Sequence, residues 1–306
     1  MIGNLERKGI AKVQSCLITG ATGLVGSYFI QKVINDCELF VVSRNRADQL
    51  SNKVHQIQAD LGDCTFASRL PSELDAIVHL AQSNHYKDFP NKALDIFSVN
   101  AESTLRLLDF AKRHKIKTFI YASSGVVYGS SPSPISENTQ LKVNNELGFY
   151  YLSKLAGELL VENYSNEFNV VILRFFFVFG KNQREGMLIP RLVRSVIQEK
   201  PILLQGNDGI KINPIHASDA ARAIRQALSL NQSKKINVGG REILSLREIG
   251  EIIGEVVGKK PKFEVDMSKE PNHLIGDINK MSRLFGSPKV NFKRGIEDFV
   301  KREMFV

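Results

Sequence analysis

The sequence predicts an α/β fold: a doubly wound parallel sheet with helices on both faces, followed by a smaller mixed α/β C-terminal lobe. Three observations lead there. Short apolar runs rich in β-branched residues alternate with amphipathic stretches through the first half. Glycines cluster between the first run and the first amphipathic stretch. After Gly180 the elements shorten, and Pro190, Pro201, Gly206, Gly209 and Pro214 punctuate the chain.

Val13–Thr19 reads as the first strand. Leu24–Asp36 reads as a helix, with Leu24, Val25, Phe29, Val33 and Ile34 forming its apolar stripe. Leu39–Val42, Val54–Gln58, Ala76–Leu80 and Thr118–Ala122 read as strands two to five. A long helix is expected from about Lys92 to His114 and a second from about Tyr150 to Phe168, ahead of a strand at Val170–Phe176. Later, Ser218–Leu230 reads as a helix and Ile236–Val238 as a short strand. Ser245–Val257 reads as a helix with Ser245 as N-cap and Glu248 at capping-box spacing. The expected division is a dinucleotide-binding unit over 1–175 plus about 213–240, and a substrate lobe over 176–212 and 241–306.

Composition narrows the class. With 41 Lys+Arg against 32 Asp+Glu the net charge is +9, and 43% hydrophobic with 24% charged residues is the balance of a folded globular protein. No apolar run approaches the ~18 residues that span a bilayer, and the opening MIGNLERKGIAK has no apolar signal region. Cys16, Cys37 and Cys64 are odd in number, and CxxC, CxxH and HExxH are all missing, so neither a disulfide framework nor a metal site is expected. The expected compartment is the reducing cytoplasm. The positive charge suits an anionic small molecule. No basic block is interleaved with aromatics, so nucleic acid is not an expected partner, and neither is a membrane.

TGATGLVG, residues 19–26, follows the first strand and opens the first helix. Gly20, Gly23 and Gly26 are spaced as a phosphate cradle, with Thr22, Leu24 and Val25 between them. The second strand ends in Ser43, Arg44, Asn45 and Arg46, where a dinucleotide fold that prefers the unphosphorylated ribose carries an acid. A guanidinium binds a 2′-phosphate, so Arg44 points to NADP, with NAD the alternative. Asp60 and Leu61 are placed for the adenine edge, and Leu80 and Ala81 lie beside the expected cofactor path. His79 is assigned no chemistry.

Tyr150 and Lys154 share a helix face at i, i+4 spacing. An adjacent ammonium is expected to draw the phenol's pKa toward neutrality. Tyr151 stands at i, i+3, and spacing favours Tyr150. Ser124, in YASSGVVYG at the end of strand five, is the expected substrate-binding hydroxyl, with Ser123 the alternative.

This ordered set, TGxxGxxG, HLA, SSxxVYG and YxxxK, resembles the extended short-chain dehydrogenase/reductases. Within them it is most similar to the NAD-dependent epimerase/dehydratase family that acts on nucleotide sugars, which includes UDP-galactose 4-epimerase. LRFFFVFG (173–180) and GNDGIKINPIHASDAARA (206–223) continue the resemblance. It implies a Rossmann-type fold, Ser124, Tyr150 and Lys154 as catalytic residues, and Asn100 as a structural or relay group. It also implies largely structural roles for His216 and Asp219, and a homodimer through the two long helices. The chain departs from the family at Phe177, where an Asn is usual, and at Ile212, where an Arg is usual. The second diphosphate-binding position is at best Lys269, and Asn144, Asn145 and Glu146 stand where a proline is frequent. Ser124-Gly125-Val126 lacks the acid of the dehydratases. The expected function is a nucleotide-sugar epimerase acting at C4. The alternatives are an NADPH-dependent reductase of a keto nucleotide sugar and a non-catalytic dinucleotide-binding scaffold.

Overall fold

In the computed structural model, which describes residues 13–48, 50–141 and 148–303, the apolar runs assemble into one parallel sheet. Its first half comprises β1 (Ser15–Thr19), α1 (Leu24–Val33), β2 (Glu38–Ser43), β3 (Val54–Gln58) and β4 (Ala76–His79). There follow α2 (Ala93–Phe97), α3 (Ser103–Arg113), β5 (Thr118–Ser124), α4 (Gly148–Asn163) and β6 (Asn169–Phe175). The remaining strands are β7 (Val178–Phe179), β8 (Pro201–Gln205), β9 (Lys211–Ile212), β10 (Ile215–His216), β11 (Lys234–Val238), β12 (Leu244–Ser245) and β13 (Lys262–Asp266). Between and after them lie α5 (Leu188–Ile197), α6 (Ala217–Ala227), α7 (Leu246–Val257), α8 (Asn279–Phe285) and α9 (Phe292–Glu303).

The sheet order is β11-β6-β5-β4-β1-β2-β3, so the winding reverses between β1 and β4. Open sheets of this kind bind ligands at that reversal, outside the carboxyl ends of the strands. Burial on both faces explains the unbroken apolar runs: every residue of β4 is buried, as are the first six of β5. One face packs Phe29, Ile30 and Val33 of α1 against Ile224 of α6 and Met281 of α8. The other packs Leu107, Leu108 and Phe110 of α3 with Val161 of α4. A third core, around Phe179, Val193, Leu204, Ile249 and Ile296, joins α5, α7 and α9 with the short β8–β13 pair.

The differences from the expected boundaries are local. The helix expected to reach Asp36 ends at Val33, where Asn35 and Asp36 favour a turn. The helix expected through Phe168 runs from Gly148 to Asn163. The helix expected over Lys92–His114 is not continuous: α2 and α3 are joined by a π-helical turn, Ser98–Glu102, with Asn100 at its centre. Asn144, Asn145 and Glu146 lie outside the described residues. The capping box of α7 is present, with the Ser245 hydroxyl accepting from Glu248 N and the Glu248 carboxylate from Ser245 N. The three cysteines form no disulfide. Among the described residues no helix is long and apolar enough to cross a membrane.

Candidate active site

The glycine loop lies where β1 and β4 end. Gly20 adopts φ +72°, and a Cβ there would sit 2.6 Å from Ala81 N, so main chain packs directly on main chain. Gly26 brings α1 against the same loop, since a Cβ on it would lie 2.3 Å from Gly20 O. The N-cap of α1 is Gly23, which makes no side-chain cap. The first amides of the helix therefore have no side-chain acceptor, a ready site for a pyrophosphate. Thr22 is exposed beside them, and Leu24 and Val25 are half-buried.

At the end of β2 the Ser43 hydroxyl donates to Asn45 O at 2.8 Å, and Arg44 accepts only through its carbonyl, from Gln58 Nε2 at 3.1 Å. The exposed Arg44 guanidinium makes no ion pair among the described residues. Asp60 is exposed and accepts from Gly62 N at 3.0 Å, with Leu61 half-buried beside it.

A directed chain of hydrogen bonds runs inward from this loop. Thr104 Oγ1 donates its proton to Asn100 O at 2.9 Å, so toward His79 it can only accept, and His79 Nε2–H donates to it at 3.0 Å. His79 Nδ1 is then the acceptor for Thr19 Oγ1 at 2.6 Å, and Thr19 accepts in turn from Ala81 N at 3.3 Å. His79 is buried and neutral: burial, helped by the Lys154 charge, drops its pKa to about 3. Its hydrogen bonds tie β4 to β1 and, through Thr104, to the carbonyl of Asn100. The Asn100 side chain is engaged at both ends, its Oδ1 by Ser83 N at 2.8 Å and its Nδ2 by Ser153 Oγ at 2.9 Å. Ser153 donates to Tyr150 O at 2.8 Å, which carries the chain into α4.

Tyr150, half-buried, points its phenol into the cleft, where it donates to Gln82 Oε1 at 3.0 Å. Tyr151 faces the other way, packed with Val127, Tyr128, Ile135 and Phe176. Ser124 ends β5; its hydroxyl accepts from Val126 N at 3.3 Å and is near enough to the Tyr150 phenol to draw its pKa down. Ser123 is buried, and its hydroxyl has no partner among the described residues. The Lys154 ammonium donates to Ala122 O at 2.9 Å and stands 5.2 Å from the centre of the Tyr121 ring. Burial lowers its pKa to about 8, against the raising charge of Glu158.

One expectation is corrected here: the pKa of the Tyr150 phenol is not drawn toward neutrality. Burial pushes that pKa well above its usual value, the Ser124 hydrogen bond draws it down, and Tyr86 adds to the rise. Desolvation exceeds the attraction that i, i+4 spacing suggested.

The remaining expected residues sit apart from this cluster. Phe177 adopts φ +43° and packs against the third core. Lys269 is exposed in the lobe, 3.6 Å from Asp266. Ile212 is buried, and Asp219 accepts from Lys289 N and Val290 N, each at 2.8 Å, in a structural role. His216 Nδ1 caps α6 by accepting from Ser218 N at 3.3 Å.

Sequence reasoning missed the loop after β4. Besides Gln82 it supplies Tyr86, whose ring lies 5.1 Å from that of Tyr150 and whose hydroxyl donates to Met187 Sδ at 3.2 Å. Asn84 Oδ1 accepts from Arg184 Nη2 at 2.6 Å, which joins this loop to the segment after β7. The signal was a polar run, Gln82-Ser83-Asn84-His85-Tyr86, directly at the carboxyl end of a buried strand.

Comparison with known proteins identifies the family and the fold. The model of the NAD dependent epimerase/dehydratase family matches residues 16–239. An uncharacterised UDP-glucose epimerase of Bacillus subtilis is 29% identical, over 92% of this chain and 95% of its own length. A dTDP-4-dehydro-6-deoxy-D-allose reductase of Streptomyces is 23% identical, over 93% and 94%. The crystal structure of UDP-glucuronic acid 4-epimerase from Bacillus cereus, in complex with UDP-glucuronic acid and NAD, superposes with a TM-score of 0.83 at 26% identity, covering 95% of this chain and all of that one.

Proposed function

The chain belongs to the NAD dependent epimerase/dehydratase family, among enzymes of the extended short-chain dehydrogenase/reductase type, and we propose that it epimerises a nucleotide sugar by oxidising and re-reducing one sugar hydroxyl, at C4. The observation that carries this reading is the Tyr150 phenol donating to Gln82 Oε1 at 3.0 Å just past the end of β4, with Ser124 at the end of the neighbouring β5, beside the glycine cradle. The full-length similarity to the Bacillus subtilis epimerase supports it.

A nicotinamide dinucleotide fits the residues present. The uncapped first turn of α1 faces a loop lined by backbone, and the Lys154 ammonium donates one hydrogen bond, to Ala122 O, among the described residues. Gly20, Thr22, Gly23, Leu24, Val25 and Gly26 would hold the pyrophosphate, Leu80 and Ala81 would line the path, and Lys154 would hold the nicotinamide ribose. Bound there, the nicotinamide would supply reversible hydride chemistry at the sugar carbon, and inversion requires that the hydride return to the opposite face of the carbonyl. Ser124 orients the sugar oxygen. Tyr150 takes the proton of that hydroxyl in the oxidising half and gives it back to the carbonyl oxygen in the reducing half. Burial favours the neutral phenol, the form that donates; Ser124 opposes it and so assists the oxidising half. Asn100, used internally at both ends, acts by placing α4. The substrate lobe in this reading is 176–212 with 241–306, and Phe177 and Lys269 are its candidate contacts.

Arg44 supports NADP as the preferred form, because no carboxylate occupies the end of β2. NAD, present in the Bacillus cereus epimerase structure, is the alternative. Exchanging Arg44→Asp should reverse the ratio of the two dissociation constants; an unchanged ratio removes Arg44 from the assignment. Arg44, together with the similarity to the Streptomyces reductase, also favours a second reading, a single NADPH-consuming reduction of a keto sugar. Proton NMR of UDP- and dTDP-sugars incubated with enzyme and cofactor separates the two. Interconversion without net cofactor oxidation supports the epimerase, and stoichiometric oxidation the reductase. Tyr150→Phe should cost turnover about 10²–10⁴-fold, with the cofactor-induced thermal shift retained. Unaltered turnover would remove both catalytic readings and leave the scaffold.

We further propose a homodimer. Leu94, Phe97 and Leu105 on α2 and α3, with Leu152 and Leu159 on the adjoining α4, expose large apolar side chains, Leu94 at 86% and Leu159 at 52%. Sedimentation of Leu159→Glu as a monomer, against a dimeric parent, is the expected result.

A further inference from the structure

Lys154 is followed one helical turn later by Glu158, and both side chains are buried, 2% and 1% exposed. The two do not form an ion pair. Both Glu158 oxygens are taken by Arg174 of β6, with Nε at 2.9 and 3.2 Å and Nη2 at 2.5 Å. The guanidinium lies 4.5 Å from the centre of the Tyr128 ring, and that phenol donates to Asn237 Oδ1 at 2.8 Å. Asn237 is itself held, its Nδ2 donating to Ile135 O at 2.8 Å and Asp277 O at 3.2 Å. The guanidinium that holds the carboxylate is thus itself backed by the Tyr128 ring, which Asn237 fixes in turn. The Lys154 ammonium, whose one acceptor among the described residues is Ala122 O, keeps two N–H groups uncommitted.

We propose that Glu158 is a positioning residue for Lys154: clamped by Arg174, it supplies the buried countercharge that keeps the ammonium protonated without capturing it, so that the lysine stays available to the cleft. The physics has two parts. Removing an ammonium from water favours the neutral amine, and an opposite charge nearby restores the cation. A free carboxylate one turn away would do so by closing a salt bridge, which would turn the ammonium from the cleft. Bidentate pairing with a rigid guanidinium fills the carboxylate's preferred acceptor sites and leaves its field acting on Lys154.

The groups facing Lys154 are consistent with this. His79 on β4 is neutral, Tyr121 on β5 and Tyr150 on α4 are phenols whose pKa desolvation raises, and Arg174 lies behind Glu158. Glu158 is the anion among them, and it is the group that raises the Lys154 pKa against burial. For Arg174 itself, burial works against the charge, but Glu158 more than compensates.

The inference rests on the reading of Lys154 as part of the active site, and its test is separate from turnover. The Lys154 midpoint is followed by 13Cε NMR in full-length, lysine-labelled protein without added cofactor, with the resonance assigned through Lys154→Arg. In the charge-free pair E158Q/R174M the midpoint should fall by about 1 pH unit or more. In R174M alone it should rise, because the released carboxylate closes on the ammonium, and dinucleotide affinity should weaken with it. E158D, which keeps the charge, should stay near the parent value. The alkaline limb of kcat/KM should follow each shift. A purely structural pair would leave the midpoint where it is. An unmoved or raised midpoint in folded E158Q/R174M overturns the proposal. If that variant does not fold, an unmoved or lowered midpoint in R174M does the same. Failure of the Tyr150→Phe test would remove the catalytic reading and leave these titrations unaffected.

Discussion

Gly26 is a position where helix propensity and packing forecast opposite outcomes. In an exposed helix, replacing Gly by Ala gains about 1 kcal/mol. In α1 the new Cβ would lie 2.3 Å from Gly20 O, 2.7 Å from Ala21 Cα and 2.8 Å from Ala21 O, all of them backbone atoms that cannot swing aside. Carbon–oxygen contacts settle at about 3.3–3.6 Å, so α1 must retreat from the loop by about 1 Å. Overpacking of this kind costs about 1–3 kcal/mol. With unyielding backbone on the far side the upper end applies, and the net loss after the propensity gain is about 2 kcal/mol. At about 2–4 °C per kcal/mol, Tm should fall by roughly 4–8 °C. The same retreat pulls the first-turn amides from the pyrophosphate position, so the increase in Tm on adding a dinucleotide should shrink as well. Calorimetry of Gly26→Ala with and without NADP or NAD reads both effects. A variant at least as stable as the parent, with an undiminished ligand shift, would refute the close-approach argument.

Other outcomes follow from the same geometry. Burial lowers the Lys154 pKa to about 8, so the ammonium is present below that pH and lost as pH rises through it. kcat/KM should therefore fall about tenfold per unit on the alkaline side, and a profile flat well past that point would exclude Lys154 as the required cation. Thr104→Val keeps the side-chain shape but leaves His79 Nε2–H without its acceptor and Asn100 O without that donor. Urea unfolding should show a loss of about 1–3 kcal/mol, and an unchanged midpoint would show that the directed chain is unimportant. Ser245→Ala removes one half of the α7 capping box and should cost about 0.5–2 kcal/mol by the same measurement; no loss would mean that tertiary packing alone holds the end of α7.

The features readable in advance were those decided by neighbours along the chain. Gly23 and Gly26 mark the turn into the helix because the backbone they must clear, that of Gly20 and Ala21, lies within seven residues, whereas the approach of Gly20 to Ala81 forms only on folding; Ser245 with Glu248 marks a helix start because both partners sit in its first turn. Tyr150 and Lys154 share a face by helical geometry alone. The strand runs were legible because burial on both faces of a parallel sheet selects continuous apolar sequence.

What tertiary structure decided involves residues that meet only after folding. The interruption of the expected Lys92–His114 helix centres on Asn100, whose amide is satisfied by Ser83 and Ser153 on other segments, and no local signal marks it. The Glu158–Arg174 pair joins a helix to a strand, and Gln82 reaches Tyr150 across 68 positions of sequence. The sign of the Tyr150 shift was misjudged for the same reason. Spacing records which charges are near, whereas the energy of a charge depends on how much water has been removed around it, and every packed element contributes to that.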